Sequence, residues 1–328
     1  MGASDYDLAV IIVSANHGRW LEACLPTVFD HAGDARLDVV VVDSGCTDDT
    51  VEIVESNFPE ARVLSVENRG FAYGNNQGAM TTDAPYVLFL NPDTEILDGT
   101  FGDLLSELDR RPEVGLVGVR QATPRGDDAP TIRRFPTPIR MFSESVGSEH
   151  LPVRASWLGQ RELDPACYLR DMECDWVSGS FMLARREALL GGGLMDERFF
   201  LYCEEPDLCR RIKGAGWQVR HLPTMRILHH VGRSTFDPRL TAQEAFAHRQ
   251  YIEKHFGPIA RRAGVAAYAL RYVLRAAIGG RDRSRAREQR IASRAALKAL
   301  RRRASPPFIA PPVAAVAALE GRRDPSLA

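Results

Sequence analysis

Three apolar runs constrain the fold more than anything else in this chain. Leu8 to Ser14 reads LAVIIVS, Leu37 to Asp43 reads LDVVVVD, and Tyr86 to Leu90 reads YVLFL. A strand with one wet face alternates apolar and polar residues. These runs do not alternate, so they read as strands buried on both faces, as in a parallel sheet covered by helices. Helical spacing fills the gaps. Leu21, Leu25 and Val28 follow the first run, and Val51 and Val54 follow a candidate N-cap at Thr47. A short strand spans Arg62 to Val66, a helix Phe71 to Met80, and a further strand Val114 to Val119. This alternation predicts an α/β domain, a mainly parallel sheet flanked by helices.

Periodicity fades from Gln121 to Glu173, a long excursion that reads as a functional loop with little regular structure. Order returns with a glycine-kinked strand from Asp175 to Ala184 and a helix from Pro206 to Lys213, stopped by Gly214. A strand from Met225 to His229 and a helix from Thr241 to Phe256 close the body. Residues 1–257 thus form one domain, 258–304 a basic amphipathic helical extension, and 305–328 a Pro- and Ala-rich tail that reads as disordered.

The net charge of −1 hides an asymmetry. Residues 255–304 hold 14 Lys and Arg against two acidic residues, so the remainder sums to −13. A basic amphipathic extension suits in-plane contact with an anionic membrane surface. A solvated helix, or one packed on the body, is the competing reading. The acidic body and the lack of a nucleic-acid motif argue against nucleic acid as partner. The six cysteines include no C-x-x-C pair, so reduced thiols are expected rather than a disulfide framework. Residues 1–7 (MGASDYD) do not read as a signal peptide, and no run approaches the roughly 18 apolar residues of a membrane span. A cytoplasmic protein, peripheral on the inner face of the membrane, is expected.

The chemistry concentrates where strands end. Pro92 fixes φ and removes a ladder donor, so the third run must stop at Asn91-Pro92-Asp93. Oxygen ligands at the carboxyl end of a buried strand suit Mg²⁺ or Mn²⁺ holding a substrate diphosphate. Ser14 and Asn16 end the first run, and Asp43 and Asp48 follow the second, where a nucleoside would lie. Asn68, Gly70 and Asn75 sit in a stretch of glycines and amides (ENRGFAYGNNQG) that allows close backbone approach to a ligand. No G-x-G-x-x-G is present, which disfavours a dinucleotide fold. Glu204, Glu205 and Asp207 open a helix, whose dipole favours ionised carboxylates and so a general base. His229-His230 ends a strand and could complete a metal site with Asp93. A turn, a helix cap or a structural histidine would explain any one of these alone.

Taken in order, the segments resemble a known family. VVDSGCTDDT, ENRGFAYGNNQGA, YVLFLNPDTEI, WVSGSFMLARREAL, FFLYCEEPDLCRRIKGAGW and HHVGRS are similar to those of inverting family 2 glycosyltransferases with the GT-A fold, from about Asp7 to about Gly257. Asn-Pro-Asp and Arg133-Arg134-Phe135-Pro136 most resemble bacterial rhamnosyltransferases of cell-envelope polysaccharide synthesis. The resemblance implies that Asp93 and His229 hold the metal and Glu205 is the catalytic base. It implies that Ser14, Asn16, Asp43, Asp48, Asn68, Gly70, Asn75 and Asn91 hold the donor nucleotide. Trp176, Gly179, Glu204, Asp207, Arg133 and Arg134 would shape the acceptor cleft. Asn91 departs from the usual Asp-x-Asp and is a weaker, neutral ligand. The implied reaction moves a sugar, L-rhamnose from dTDP-L-rhamnose, onto a polyprenyl-diphosphate-linked saccharide. Alternatives are a UDP-hexose or UDP-galactofuranose donor, or a scaffold without turnover. A sugar-nucleotide pyrophosphorylase would need a Gly-rich basic loop after the first strand, where this chain has SANHGR.

Overall fold

The computed structural model describes residues 4–147, 158–230, 237–278, 283–301 and 304–308. The first half runs β1 (Leu8–Ser14), α1 (Gly18–Asp30), β2 (Leu37–Ser44), α2 (Thr50–Asn57), β3 (Ala61–Val66), α3 (Phe71–Met80), β4 (Tyr86–Leu90), β5 (Thr94–Asp98), α4 (Phe101–Asp109) and β6 (Val114–Ala122). The second half runs α5 (Pro138–Ser145), β7 (Met172–Glu173), β8 (Phe181–Arg185), α6 (Arg186–Gly192), α7 (Glu204–Gly214), β9 (Gln218–His229), α8 (Pro238–His255), α9 (Pro258–Ile278) and α10 (Arg283–Ala299).

The sheet order is β3-β2-β1-β4-β8-β6-β9-β5, with β7 beside β9. Strands β1, β2, β3, β4, β6 and β9 run one way, and β5, β7 and β8 run against them. Leu8 lies opposite both Leu37 and Tyr86, so the carboxyl ends of β1, β2 and β4 finish side by side.

The uninterrupted apolar runs are explained by two cores. Leu8, Val10 and Ile12 face Leu21, Leu25 and Val28 of α1 and Phe101, Leu104 and Leu108 of α4. Ala9, Ile11 and Val13 face the other way, into the layer of α3, α6 and α7. Each fully buried Val, Leu or Ile contributes roughly 1.5–3 kcal/mol, so register in these strands is firmly set.

Several elements differ from expectation. Helix α2 starts at Thr50, after Asp49 at the N-cap position, and Thr47 instead donates its N–H to Asn16 Oδ1. Strand β5 leaves β4 by the Asn91–Asp93 turn and pairs with β9 at the far edge. Strand β9 is twelve residues long, more than twice the apolar stretch that announced it. The 121–173 excursion contains α5, entered by Thr137, whose side chain accepts from the Arg140 N–H; its residues 148–157 lie outside the described set.

The extension is packed. Tyr268 and Tyr272 of α9 and Ala296 and Leu300 at α10 join Met141 of α5 and Ile252 of α8 in a third core. Ser145 Oγ donates to the Ala267 carbonyl at 2.8 Å. Arg287, Arg290 and Arg294 point outward from α10. Buried Asp207 ties α7 to α8, reaching Lys254 at 2.6 Å, His255 at 2.7 Å and Arg211 at 2.8 Å. Phe308 of the tail stacks on Phe200, centroids 5.5 Å apart. Among the described residues no helix is long and apolar enough to cross a membrane.

Candidate active site

A pocket of about 570 Å³ opens at the carboxyl ends of β1 and β4. Ala15, His17, Arg19 and Trp20 line one side, and Asn91, Pro92, Asp93 and His229 its floor. Ser178, Gly179 and Ser180 face the segment from Phe200 to Glu205, with Asn68 and Gly70 at the edge. Local chemistry shapes the floor. The Asn91 N–H donates to Ser180 O at 3.1 Å, and Thr94 Oγ1 donates to Asn91 O at 2.7 Å, which closes the turn around Pro92.

Pairing of β5 with β9 sets Thr94 opposite His229 and so brings His229 beside Asp93. Its Nε2 lies 3.2 Å from Asp93 Oδ1 and 3.4 Å from Asn91 Nδ2. Among the described residues no three His, Cys, Asp or Glu side chains cluster to cage a metal. One carboxylate and one imidazole opening on a pocket nevertheless fit Mg²⁺ or Mn²⁺, which take few protein ligands and complete their shell with waters and substrate phosphates. Behind His229 stands buried Gln121, its Nε2 2.7 Å from His229 Nδ1 and its Oε1 accepting from Ser180 Oγ at 2.7 Å. This amide orients the ring. For Nε2 to offer a lone pair to a metal, Nδ1 must carry the proton, and Gln121 must turn its oxygen toward the ring. Gln121→Leu is therefore expected to weaken Mn²⁺ binding about 10- to 100-fold without unfolding the protein. A titration followed by electron paramagnetic resonance that finds unchanged affinity would remove Gln121 from this role.

The carboxylates stand opposite. Helix α7 begins at Glu204, entered through Tyr202 at φ 71° and Cys203 at φ 70°. Two successive non-glycine residues in the left-handed region cost about 1–3 kcal/mol each, a strain that aims both glutamates at the pocket. Glu204 is 2% exposed, and its Oε2 has no hydrogen-bond partner. Burial, then the Glu205 charge, push its carboxyl well above the usual range. Burial pushes Glu205 up too, opposed by its own N–H, the Gly179 backbone and the Arg133 charge. Gly179 is needed there, since a Cβ would sit 2.6 Å from Glu205 Oε1.

Of the residues singled out in the sequence, the pocket gathers Asn68, Gly70, Asn91, Asp93, Gly179, Glu204, Glu205 and His229. The others are not part of its lining. Asn16 Oδ1 accepts from the Thr47 N–H at 2.7 Å and joins the loops after β1 and β2. Buried Ser14 takes the Cys46 thiol on its carbonyl, and Asp43 accepts from the Cys46 N–H at 2.7 Å. Asp48 accepts from the Thr50 N–H, the helix-capping use open to it. Asn75 is buried in α3 and donates to Phe71 O. Asp207 serves the α7–α8 anchor. Arg133 lies 5.4 Å from the Trp176 ring, whose Nε1 donates to Arg134 O, and Arg134 pairs with Glu162 at 2.5 Å. Sequence reasoning passed over Gln121, Ser178, Ser180, His17, Arg19 and Trp20. For the last three the signal was adjacency to Asn16; for Gln121 there was none.

The profile of Glycosyl transferase family 2 matches residues 9–164. The N-acetylglucosaminyl-diphospho-decaprenol L-rhamnosyltransferase of Mycobacterium tuberculosis is 31% identical over 243 residues, covering 70% of this chain and 77% of that protein. The rhamnosyltransferase WbbL of Escherichia coli is 24% identical over 264 residues, 77% of this chain and 92% of that one. Among solved structures, the mannosyltransferase PcManGT of Pyrobaculum calidifontis, in complex with GDP-Man and Mn²⁺, is similar with a TM-score of 0.52 at 19% identity. That match covers 96% of this chain and 79% of the other, and it is a likeness of fold.

Proposed function

Since the chain belongs to glycosyl transferase family 2, we propose that it transfers L-rhamnose from dTDP-L-rhamnose, with inversion, onto a polyprenyl-diphosphate-linked N-acetylglucosamine. One observation carries the reading: the Asp93–His229 pair and Glu205 open on the same pocket. The sugar and acceptor are those in the names of its relatives.

The residues divide the work. The Glu205 carboxylate takes the proton of an acceptor hydroxyl, and that oxygen attacks the anomeric carbon from the face opposite the leaving group. The bond from the anomeric carbon to the diphosphate oxygen breaks as the new one forms, and the nucleoside diphosphate departs. Asp93 and His229 would hold a divalent cation, Mg²⁺ or Mn²⁺, which when bound draws off charge from the leaving diphosphate.

A lipid-linked acceptor calls for access to a membrane, and the outward arginines of α10 suit an anionic surface. Binding to anionic vesicles is expected at low salt and lost at high salt. No sedimentation with such vesicles at low salt would end this part of the reading. The enzyme itself is tested by a donor panel. Release of nucleoside diphosphate is followed from dTDP-rhamnose, UDP-galactose, UDP-N-acetylglucosamine and GDP-mannose, with Mg²⁺ or Mn²⁺ and lipid-linked acceptor. Selective turnover of dTDP-rhamnose is expected. Turnover of another donor would correct the sugar, and none at all would favour a scaffold.

A further inference from the structure

We propose that the start of α1 is a diphosphate grip, in which the His17 ring N–H and the Arg19 guanidinium hold phosphate oxygens across the pocket from Asp93. The proposal rests on the glycosyltransferase reading and names part of that site which the sequence motifs do not mark.

His17 stands at the N-cap position of α1, yet its side chain does not cap the helix. Its Nδ1 accepts the Ala15 N–H at 3.1 Å. Only a neutral ring can accept at Nδ1, so that contact sets the form of the side chain. A neutral imidazole whose Nδ1 is an acceptor carries its proton on Nε2. The ring therefore turns a donor, not a lone pair, to its surroundings. That suits an anionic oxygen and does not suit a metal.

Arg19 is the only Lys or Arg among the described residues lining the pocket, which also holds Asp93, Glu204 and Glu205. It makes no ion pair among the described residues. Its guanidinium lies 5.3 Å from the Trp20 ring, and the other neighbour of that ring is His230, centroids 4.8 Å apart. His230 in turn meets Glu95 at 2.5 Å, and its N–H donates to Asp93 O at 3.0 Å. Arg19 thus leans, through a tilted Trp20–His230 ring contact, on the residue next to the Asp93–His229 pair. A guanidinium and an imidazole N–H at the first turn of a helix, where backbone N–H groups also favour anions, match phosphate oxygens.

Two diphosphates meet in this reaction, that of the donor nucleotide and that of the lipid-linked acceptor, and the chemistry of the grip is the same for both. The full-length protein is compared with Arg19→Ala, Arg19→Lys, His17→Phe and His17→Gln, each first checked for an unchanged thermal midpoint. Calorimetry with dTDP and with thymidine, in Mg²⁺, isolates the diphosphate share of donor binding. Steady-state kinetics with a polyprenyl-diphosphate acceptor and with an acceptor lacking phosphate isolates the other.

A donor grip lowers dTDP affinity about tenfold in Arg19→Ala, spares thymidine, and is largely restored by Lys at 19 and Gln at 17. An acceptor grip leaves dTDP affinity intact and raises KM about tenfold for the diphosphate acceptor alone. Wild-type constants for both ligands in Arg19→Ala and His17→Phe overturn the proposal. A wild-type protein that binds neither dTDP nor UDP overturns the enzyme reading along with it, a result distinct from intact binding that the variants leave unchanged.

Discussion

Glu205→Gln is expected to lower kcat by about 10²- to 10⁴-fold while leaving nucleoside diphosphate affinity unchanged. The amide keeps the size of the side chain and its place at the first turn of α7, but it cannot take a proton. Glu205 is suited to the base because it keeps part of its surface open to the pocket, whereas Glu204 is 2% exposed with one oxygen unpartnered. Burial pushes both carboxyls up, and the charge of Glu205 adds to the rise at Glu204. The acid limb of the rate profile should accordingly lie above the ordinary glutamate range, with activity lost as pH falls through it. Arg133 opposes the shift of Glu205, so Arg133→Met should move that limb to higher pH. An unmoved limb would detach Arg133 from the base, and full turnover in Glu205→Gln would detach Glu205 from catalysis.

The same pair carries a signed stability effect. Carboxyls with raised folded-state pKa bind protons more tightly folded than unfolded, so their contribution is present in acid and lost as pH rises through the folded values. Glu204→Gln should therefore stabilise the protein at pH 8 relative to wild type and much less at pH 4. A thermal midpoint lowered at pH 8 would mean that Glu204 has a partner of opposite charge instead.

How much of this was legible follows from how far each signal reaches along the chain. Strands β1, β2 and β4 were readable because burial on both faces leaves an apolar run with no polar interruption. The helical extension was readable from composition, but its docking on α5 and α8 was not, since that depends on which face meets which. The start of strand β9 carries no clear run, since buried Val219 lies between the partly covered polar residues Gln218 and Arg220, and the strand is completed by pairing with β6 and β5. Helix α5 has only eight residues, and the apolar ones are split between core and solvent: Met141 is 2% exposed while Phe142 is 53%. At the site, Asp93, Glu205, Gly70, Gly179 and His229 were marked by motif, and they do meet in the pocket. Asn75 and Asp207 carried the same signal and turned inward, because an amide or a carboxylate looks alike in sequence whichever side of a helix it faces. Gln121 had no local mark at all. Its role comes from the pairing of β6 with β9, which sets it beside His229.

Gly70→Ala should be nearly as damaging as loss of the base, by a different route. Gly70 has φ 102° and ψ 172°, a conformation that is essentially closed to residues with a Cβ. A Cβ built there would lie 2.3 Å from the Phe200 carbonyl oxygen and 2.7 Å from its Cα. Both are backbone atoms, so no side chain can swing aside. The two segments are also bonded at this point, the Phe71 N–H donating to Phe200 O at 2.7 Å. Adding the methyl must either break that bond or push the 199–203 segment outward. Backbone strain of about 1–3 kcal/mol and overpacking of about 1–3 kcal/mol together imply a thermal midpoint lower by on the order of 10 °C. Activity should suffer in the molecules that remain folded. Phe200 lies just before Tyr202 and Cys203, the two left-handed residues that aim Glu205, and a shift of about 1 Å at a reacting group costs roughly 10²-fold in rate. Thermal unfolding and kcat measured on one preparation separate the two effects. Wild-type values of both would mean that the loop after β3 and the approach to α7 move independently, and that Glu205 is placed by α7 alone.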